Sequence, residues 1–361
     1  MINGLNNWYS GKRVFVTGHT GFKGSWLTGW LTAAGARVTG LALRPEPGRP
    51  SLYDLAALDS RIQSVIADIC DRSELDRALA DSEPDIVFHL AAQSLVRQSY
   101  ADPVETFRTN VLGTCQILDA IRSVKSVSSV VIVTSDKCYE NQGTGQLYTE
   151  TDPMGGWDPY SASKGSAELA TAAFRRSFFG SGGPAVATAR AGNVIGPGDW
   201  GADRIVPDMM TAAANGSVAI IRNPSAVRPW QFVLEPLRGY LMLGRALATR
   251  GQEFAGAWNF GPRPEDGVSV GELSIRVQKA WGDVIVKNEP QPGAPHEASI
   301  LRLDSSKAAD KLEWKPALSL SRAVELTVQG YRQLLGNEVL SSLDTTMQAY
   351  WNEVDAARTV T

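Results

Sequence analysis

The run Val131-Ile132-Val133-Thr134-Ser135-Asp136-Lys137-Cys138-Tyr139 passes from apolar residues into hydroxyls, a carboxylate and an amine, and Tyr160-Ser161-Ala162-Ser163-Lys164 follows after a loop. The apolar stretch reads as a buried strand, so its polar groups gather at the strand's carboxyl end. Tyr160 and Lys164 stand four residues apart, on one face of any helix that carries both. A nearby ammonium favours the phenolate, which would let Tyr160 take a proton from an alcohol near neutral pH. Tyr160, Lys164 and Ser135 suffice for one alcohol oxidation. Asp136 and Lys137 are acid–base equipment beyond that need, so a second proton-transfer stage is expected.

These side chains need a scaffold. Strand patterns at 13–17, 37–43, 64–69, 85–90, 130–135 and 185–190 alternate with helical patterns at 22–34, 73–80, 104–123 and 161–178. Near-continuous apolar strands between helices predict an α/β fold, a Rossmann-type doubly wound parallel sheet covered on both faces. After Asn193 the elements shorten and Gly and Pro cluster, which predicts a smaller mixed α/β substrate-binding lobe. The expected division is 1–190 for the dinucleotide lobe, with parts of about 230–262 returning to it. The smaller lobe would then hold 191–229 and 263–361. Trp258-Asn259-Phe260 is expected back at the sheet.

Between the first strand and first helix lies Gly18-His19-Thr20-Gly21-Phe22-Lys23-Gly24. Glycines here allow a tight turn and close approach to a pyrophosphate, which the helix N-terminus favours. The plain alternative is a tight βα turn, but a place after the first strand of a βαβ unit points to a dinucleotide. Lys23 sits where an aliphatic residue is usual and His19 would put a ring beside the pyrophosphate, so the cofactor is expected to exchange. The second strand ends Leu41-Ala42-Leu43-Arg44, without the acid that binds the ribose hydroxyls of NAD. Arg44 either accepts the 2′-phosphate of NADP or faces solvent. Asp68 and Ile69, expected to end the third strand, suit the adenine edge, or Asp68 caps the next helix.

The 361 residues carry a formal net charge of -3, which gives no electrostatic case for nucleic acid or an anionic membrane. No apolar run approaches membrane-spanning length, and the first residues lack the apolar core of a secretory leader. Cys70, Cys115 and Cys138 form no CxxC pair, which fits a reducing cytoplasm. His19, His89 and His296 stand far apart, so no zinc site is expected.

The glycine loop, Ser135 and the Tyr160/Lys164 pair together resemble the extended short-chain dehydrogenase/reductase family, with Ser135 at its active-site hydroxyl position and Thr134 a structural neighbour. Nucleotide-sugar epimerases of that family need only this set. The 4,6-dehydratases carry an acid–base pair after the hydroxyl, usually Asp-Glu. Ser135-Asp136-Lys137-Cys138-Tyr139-Glu140-Asn141 is instead similar to the branch acting on CDP-glucose. So are the segments His89 to Arg97, Gly196-Pro197-Gly198-Asp199-Trp200, Arg228-Pro229-Trp230-Gln231-Phe232-Val233 and Leu301-Arg302-Leu303-Asp304. The resemblance runs from about residue 8 to about 335.

It implies conversion of CDP-glucose to CDP-4-keto-6-deoxyglucose and water, with a hydride passing from C4 to C6 through bound NAD. Tyr160 would be the base and Ser135 would orient the alcohol. Asp136, held protonated by burial, would be the acid for water loss. Lys137 would take the C5 proton or stabilise the enolate. The resemblance also places Leu90, Ala91 and Ala92 at the cofactor and Gln93, Ser94 and Asn193 at the substrate. Arg222 and Arg228 are the leading diphosphate ligands, surface ion pairs being the alternative. Trp200 and Trp230 would stack on a base or pack in the core, His89 reads as a core histidine, and His296-Glu297 is a weak candidate for nucleotide contact. A homodimer or tetramer through helices 104–123 and 161–178 is implied. The alternatives are a nucleotide-sugar 4-epimerase, a dehydratase of another nucleotide-hexose, or a dinucleotide-sensing regulator, against which Tyr160 and Lys164 argue.

Overall fold

The computed structural model describes residues 2–180, 182–289, 300–336 and 339–359. Seven strands form the central sheet: β1 (Arg13–Thr17), β2 (Arg37–Ala42), β3 (Gln63–Ile66), β4 (Ile86–His89), β5 (Ser129–Val133), β6 (Ala185–Ala191) and β7 (Gly256–Phe260). Their order is β7-β6-β5-β4-β1-β2-β3, and every pairing is parallel. Alternate residues of one strand enter opposite cores. Val14, Val16, Phe88 and Val131 face Trp26, Trp30, Tyr240 and Leu241. Phe15, Val87, Val130 and Ile132 face Leu75, Leu79, Ile117 and Leu118. Both faces being buried, the strands read as apolar runs without alternation.

The helices that cover the sheet include α1 (Phe22–Ala33), α2 (Arg72–Ser82), α3 (Gly113–Ile121), α4 (Pro159–Phe178) and α5 (Leu234–Arg250). Three expectations need correction. The third strand stops at Ile66, because the Asp68 carboxylate accepts from its own chain at Cys70 N (2.8 Å) and turns the backbone. Asp68 does not cap α2; Asp71 does, accepting from Ser73 N and Glu74 N. The helix expected over 104–123 is composite: Pro103–Phe107, a π-helical turn Arg108–Leu112, then α3. Side chains explain the widened turn. Thr114 Oγ1 bonds Asn110 O at 2.7 Å, and Asn110 holds the backbone of Gln93 through N→Oδ1 (2.8 Å) and Nδ2→O (3.0 Å) bonds.

Beyond β6 the chain makes short strand pairs: Val194–Ile195 with Gln231–Phe232, Val218–Ile221 with Ile285–Asn288, and Val227–Pro229 with Gly267–Ser269. Helices Ile205–Asn215, Val270–Trp281 and Leu320–Leu335 accompany them. The Trp258 segment does return to the sheet, as β7 beside β6. The last helix, Val339–Thr359, packs on α1 and buries Leu343, Met347, Tyr350 and Val354. His296-Glu297 lies outside the described residues.

Candidate active site

The carboxyl ends of the strands open on a cleft of about 1060 Å³, the usual ligand position in a doubly wound sheet. The glycine loop forms one wall. Gly18 has φ +75°, and a Cβ there would meet Ala91 N at 2.7 Å; a Cβ on Gly24 would meet Gly18 O at 1.9 Å. The loop therefore lies tight under the first turn of α1. No side chain caps that turn at Gly21, which leaves its backbone N–H groups for an anion in the cleft. The loop thus fits a dinucleotide. Gly18, Gly21, Phe22, Lys23 and Gly24 line the cleft, as do Arg44, Asp68, Ile69, Leu90, Ala91 and Ala92. Arg49 joins Arg44 there and no acid ends β2; Asp68 is also paired with Arg108 at 2.9 Å.

His19 is a correction. Its ring is fully buried, bonds Ser64 Oγ at 2.8 Å and fills the space a Cβ on Gly40 would take. The missing side chain at Gly40 draws the ring under β2 and away from the cleft wall, so only the His19 backbone belongs to the loop. Lys23 does point inward. Burial lowers its pKa to about 8, against the pull of Asp136 and Asp199 and with a push from Arg204.

The reacting groups meet in the same cleft. Ser135 follows β5 and caps a single 3₁₀ turn, Asp136–Cys138: its Oγ accepts from Lys137 N (3.2 Å) and donates to Asp136 Oδ1 (3.0 Å). α4 begins at Pro159 behind the Asp158 cap and carries Tyr160 and Lys164 on its buried face. Ser135, Asp136, Lys137, Tyr160 and Lys164 all line the cleft. Asp136 is 3% exposed, and burial raises its pKa despite Lys137, Ser135, Lys23 and Arg228. That direction matches the acid expected there. Tyr160 departs from expectation: burial pushes its pKa up to about 12, with Ser135 pulling the other way. Burial likewise lowers Lys164 to about 8, helped by Lys23, and its Nζ points at Val133 O, 3.5 Å away. In this resting arrangement desolvation outweighs the Ser135 hydrogen bond and the Arg204 charge, and Tyr160 is a phenol.

The candidate substrate residues divide. Ser94, Asn193 and Arg228 line the cleft. Gln93 does not; its amide turns back to Leu95 and Thr106 and fixes the loop. Arg222 is also off the wall, paired with Asp203 and, at 3.5 Å, Asp208. Arg204 takes the place sequence reasoning missed: it bonds Asp199 Oδ2 at 2.9 Å and Ser94 Oγ at 3.2 Å beside Tyr160. No motif surrounds Arg204, though Asp199 stood within a recognisable run. Trp200 is on the wall, whereas Trp230 is core, its Nε1 bonded to Val268 O. His89 is core too, between Thr17 Oγ1 (2.7 Å) and Thr114 Oγ1 (3.2 Å). Among the described residues, no group of three His, Cys, Asp or Glu could hold a metal ion, and no helix is long and apolar enough to cross a membrane.

The sequence pattern of the GDP-mannose 4,6-dehydratase family matches residues 15–327. The chain belongs to that family. A CDP-glucose 4,6-dehydratase of Salmonella typhimurium is 47% identical over 92% of this chain and 94% of its own. A dTDP-glucose 4,6-dehydratase of Xanthomonas campestris is 28% identical over 88% and 92%. Among solved structures, a dTDP-glucose 4,6-dehydratase of Streptomyces venezuelae with NAD bound superposes with a TM-score of 0.76 at 26% identity, covering 89% of this chain and 97% of that one.

Proposed function

We propose that this chain is an NAD-dependent CDP-glucose 4,6-dehydratase, a hydro-lyase that forms CDP-4-keto-6-deoxyglucose and water. The carrying observation is Asp136, buried against Ser135 and beside Lys137 in the cleft that holds Tyr160 and Lys164. An epimerase has no use for that extra pair. The 47% identity to a CDP-glucose 4,6-dehydratase supports the choice of nucleotide.

The dinucleotide fits the glycine loop, where the uncapped start of α1, Gly18, Gly21 and Gly24 would hold its pyrophosphate. When bound, NAD supplies the hydride acceptor and later donor, and a ring whose positive charge favours loss of the Tyr160 proton. Ser135 orients the C4 hydroxyl and Tyr160 takes its proton. The C4 ketone acidifies C5; the C5–H and C6–O bonds break as the C5–C6 double bond forms. Asp136 gives its proton to the departing hydroxyl. Lys137 takes the C5 proton and returns it to C5 as the hydride reaches C6, or it stabilises the enolate while water carries that proton away and back. Arg228 and Arg204 supply cations for the diphosphate.

Residues 1–190, with parts of 230–262, would bind the dinucleotide, and 191–229 with 263–361 the nucleotide sugar. Exposed Val104, Leu112 and Leu169 on helices 103–121 and 159–178 support a homodimer through that face, which sedimentation tests. A cytoplasmic site of action is part of the same reading. The deciding experiment is incubation with NAD and a panel of nucleotide-glucoses, followed by mass. Loss of one water from CDP-glucose is expected; isomerisation without mass change would establish an epimerase instead.

A further inference from the structure

The turn bearing Asp136 and Lys137 is held from both ends by one buried ion pair. Glu168 lies on α4 one turn beyond Lys164, and both it and Arg190 of β6 are about 5% exposed. The Glu168 carboxylate accepts from Arg190 Nη2 (2.7 Å), Thr134 Oγ1 (2.5 Å) and Thr188 Oγ1 (2.8 Å). Thr134 immediately precedes the turn's cap, Ser135. Arg190 Nη1 donates to the Tyr139 hydroxyl at 2.7 Å, and Tyr139 in turn donates to Asn259 Oδ1 of β7 at 2.7 Å. Tyr139 is the first residue after the turn. Its ring stacks on Tyr148, with the Arg190 guanidinium 4.9 Å from its centroid.

Glu168, Arg190, Tyr139 and Asn259 lie off the cleft wall, and of the network only Thr134 reaches it. Stability alone is a weak reason for such a pair, since apolar replacements of buried ion pairs are often neutral or stabilising. Geometry is a better one. Tyr160 has its own anchors, the Asp158 cap and a backbone bond from Tyr160 N to Ser99 Oγ (3.1 Å). Asp136 and Lys137 sit on three residues of 3₁₀ turn, whose flanks are Thr134 and Tyr139.

We propose that the Glu168–Arg190–Tyr139 network positions the elimination stage, aiming Asp136 and Lys137 at C6 and C5, while the alcohol oxidation, led by Tyr160 on its own anchors, depends on it far less. This rests on the assignment of Asp136 and Lys137 to water loss. The stages separate in the spectrum, because oxidation of the sugar produces the near-ultraviolet band of reduced nicotinamide and the close of the cycle removes it. Y139F keeps the ring and deletes two hydrogen bonds; T134V releases the other flank; T134S keeps the hydroxyl as control.

With the full chain, NAD and CDP-glucose in a rapid-mixing experiment, Y139F and T134V should slow water loss by about tenfold to hundredfold. The rise of the reduced band should stay within about twofold of wild type, so that the band accumulates. T134S should behave as wild type. If Y139F does not fold, T134V decides. Parallel loss of both stages, or no change in either, overturns the proposal. Failure of the wild type to dehydrate CDP-glucose sinks the functional reading and the clamp with it, whereas normal wild-type turnover with an unchanged partition in the variants sinks the clamp alone.

Discussion

Tyr160 and Asp136 share an environment: both are buried beside Ser135, and burial raises the pKa of each, that of Tyr160 to about 12. Y160F should lower kcat by about 10²–10⁴-fold while a fluorescence titration shows NAD affinity unchanged. D136N should spare oxidation and slow water loss, so reduced nicotinamide accumulates after mixing with CDP-glucose. For Lys137, exchange of the C5 proton with deuterated solvent discriminates the roles: a base requires that K137M and K137A lose it, and exchange that persists in K137M, K137A and K137E alike excludes the base. The buried histidines carry a pH signature. Burial lowers His19 to about 4 and His89 to about 3, from an ordinary value of 6.5. Between those values the unfolded chain binds more protons than the folded one, so stability falls as pH drops below about 6.5. Each histidine contributes a slope of about 1.4 kcal/mol per pH unit until its folded value is reached. Melting curves from neutral pH downward should show this, with a shallower slope in H19N; an unchanged slope would place the acid sensitivity elsewhere.

At the scale of elements, the βα1 loop and the turn after β5 both line the cleft, and the loop depends on one close approach. G24A would drive a Cβ into Gly18 O and push the loop off the start of α1. NAD affinity should fall by at least about tenfold, read by titration, with the sheet's circular dichroism retained. The glycine loop, the strands and α4 were legible because each is a local pattern: turn residues, apolar runs, a helical period over 161–178. The π turn at Arg108–Leu112 was not legible, because it answers to Asn110 reaching Gln93 across the fold. Nor was the fate of His19, since the space it fills is left by Gly40 on another strand. Gln93 looked like a substrate ligand from its motif, yet its amide bonds Leu95 and Thr106 and holds its own loop.

For the whole molecule, the last helix closes the apolar core rather than adding chemistry. Tyr350 is fully buried; its hydroxyl donates to Glu235 Oε2 (2.8 Å) and accepts from Arg238 Nε (3.0 Å) on α5. Y350F leaves those groups short of a partner and should cost about 1–3 kcal/mol, read from denaturant unfolding, without altering the pH profile of turnover. Deleting residues 339–361 should yield insoluble protein, because Leu343, Met347 and Val354 leave a bared core on α1 and its neighbours.

By itself the sequence determined the order of strands and helices, the phosphate loop and the Ser135, Asp136, Lys137, Tyr160 and Lys164 set, because each is written in residues close together in the chain. Tertiary structure decided which charges work together. It brought Arg204 to Ser94, took Arg222 away to Asp203, and set the Glu168–Arg190 pair beneath the acid–base turn. Those partners are separated along the chain by 110, 19 and 22 positions respectively, and no local pattern encodes them. It also set protonation: a lysine four residues from a tyrosine suggests a phenolate, but the depth of burial, which only the packed fold defines, keeps Tyr160 a phenol until charge enters the cleft.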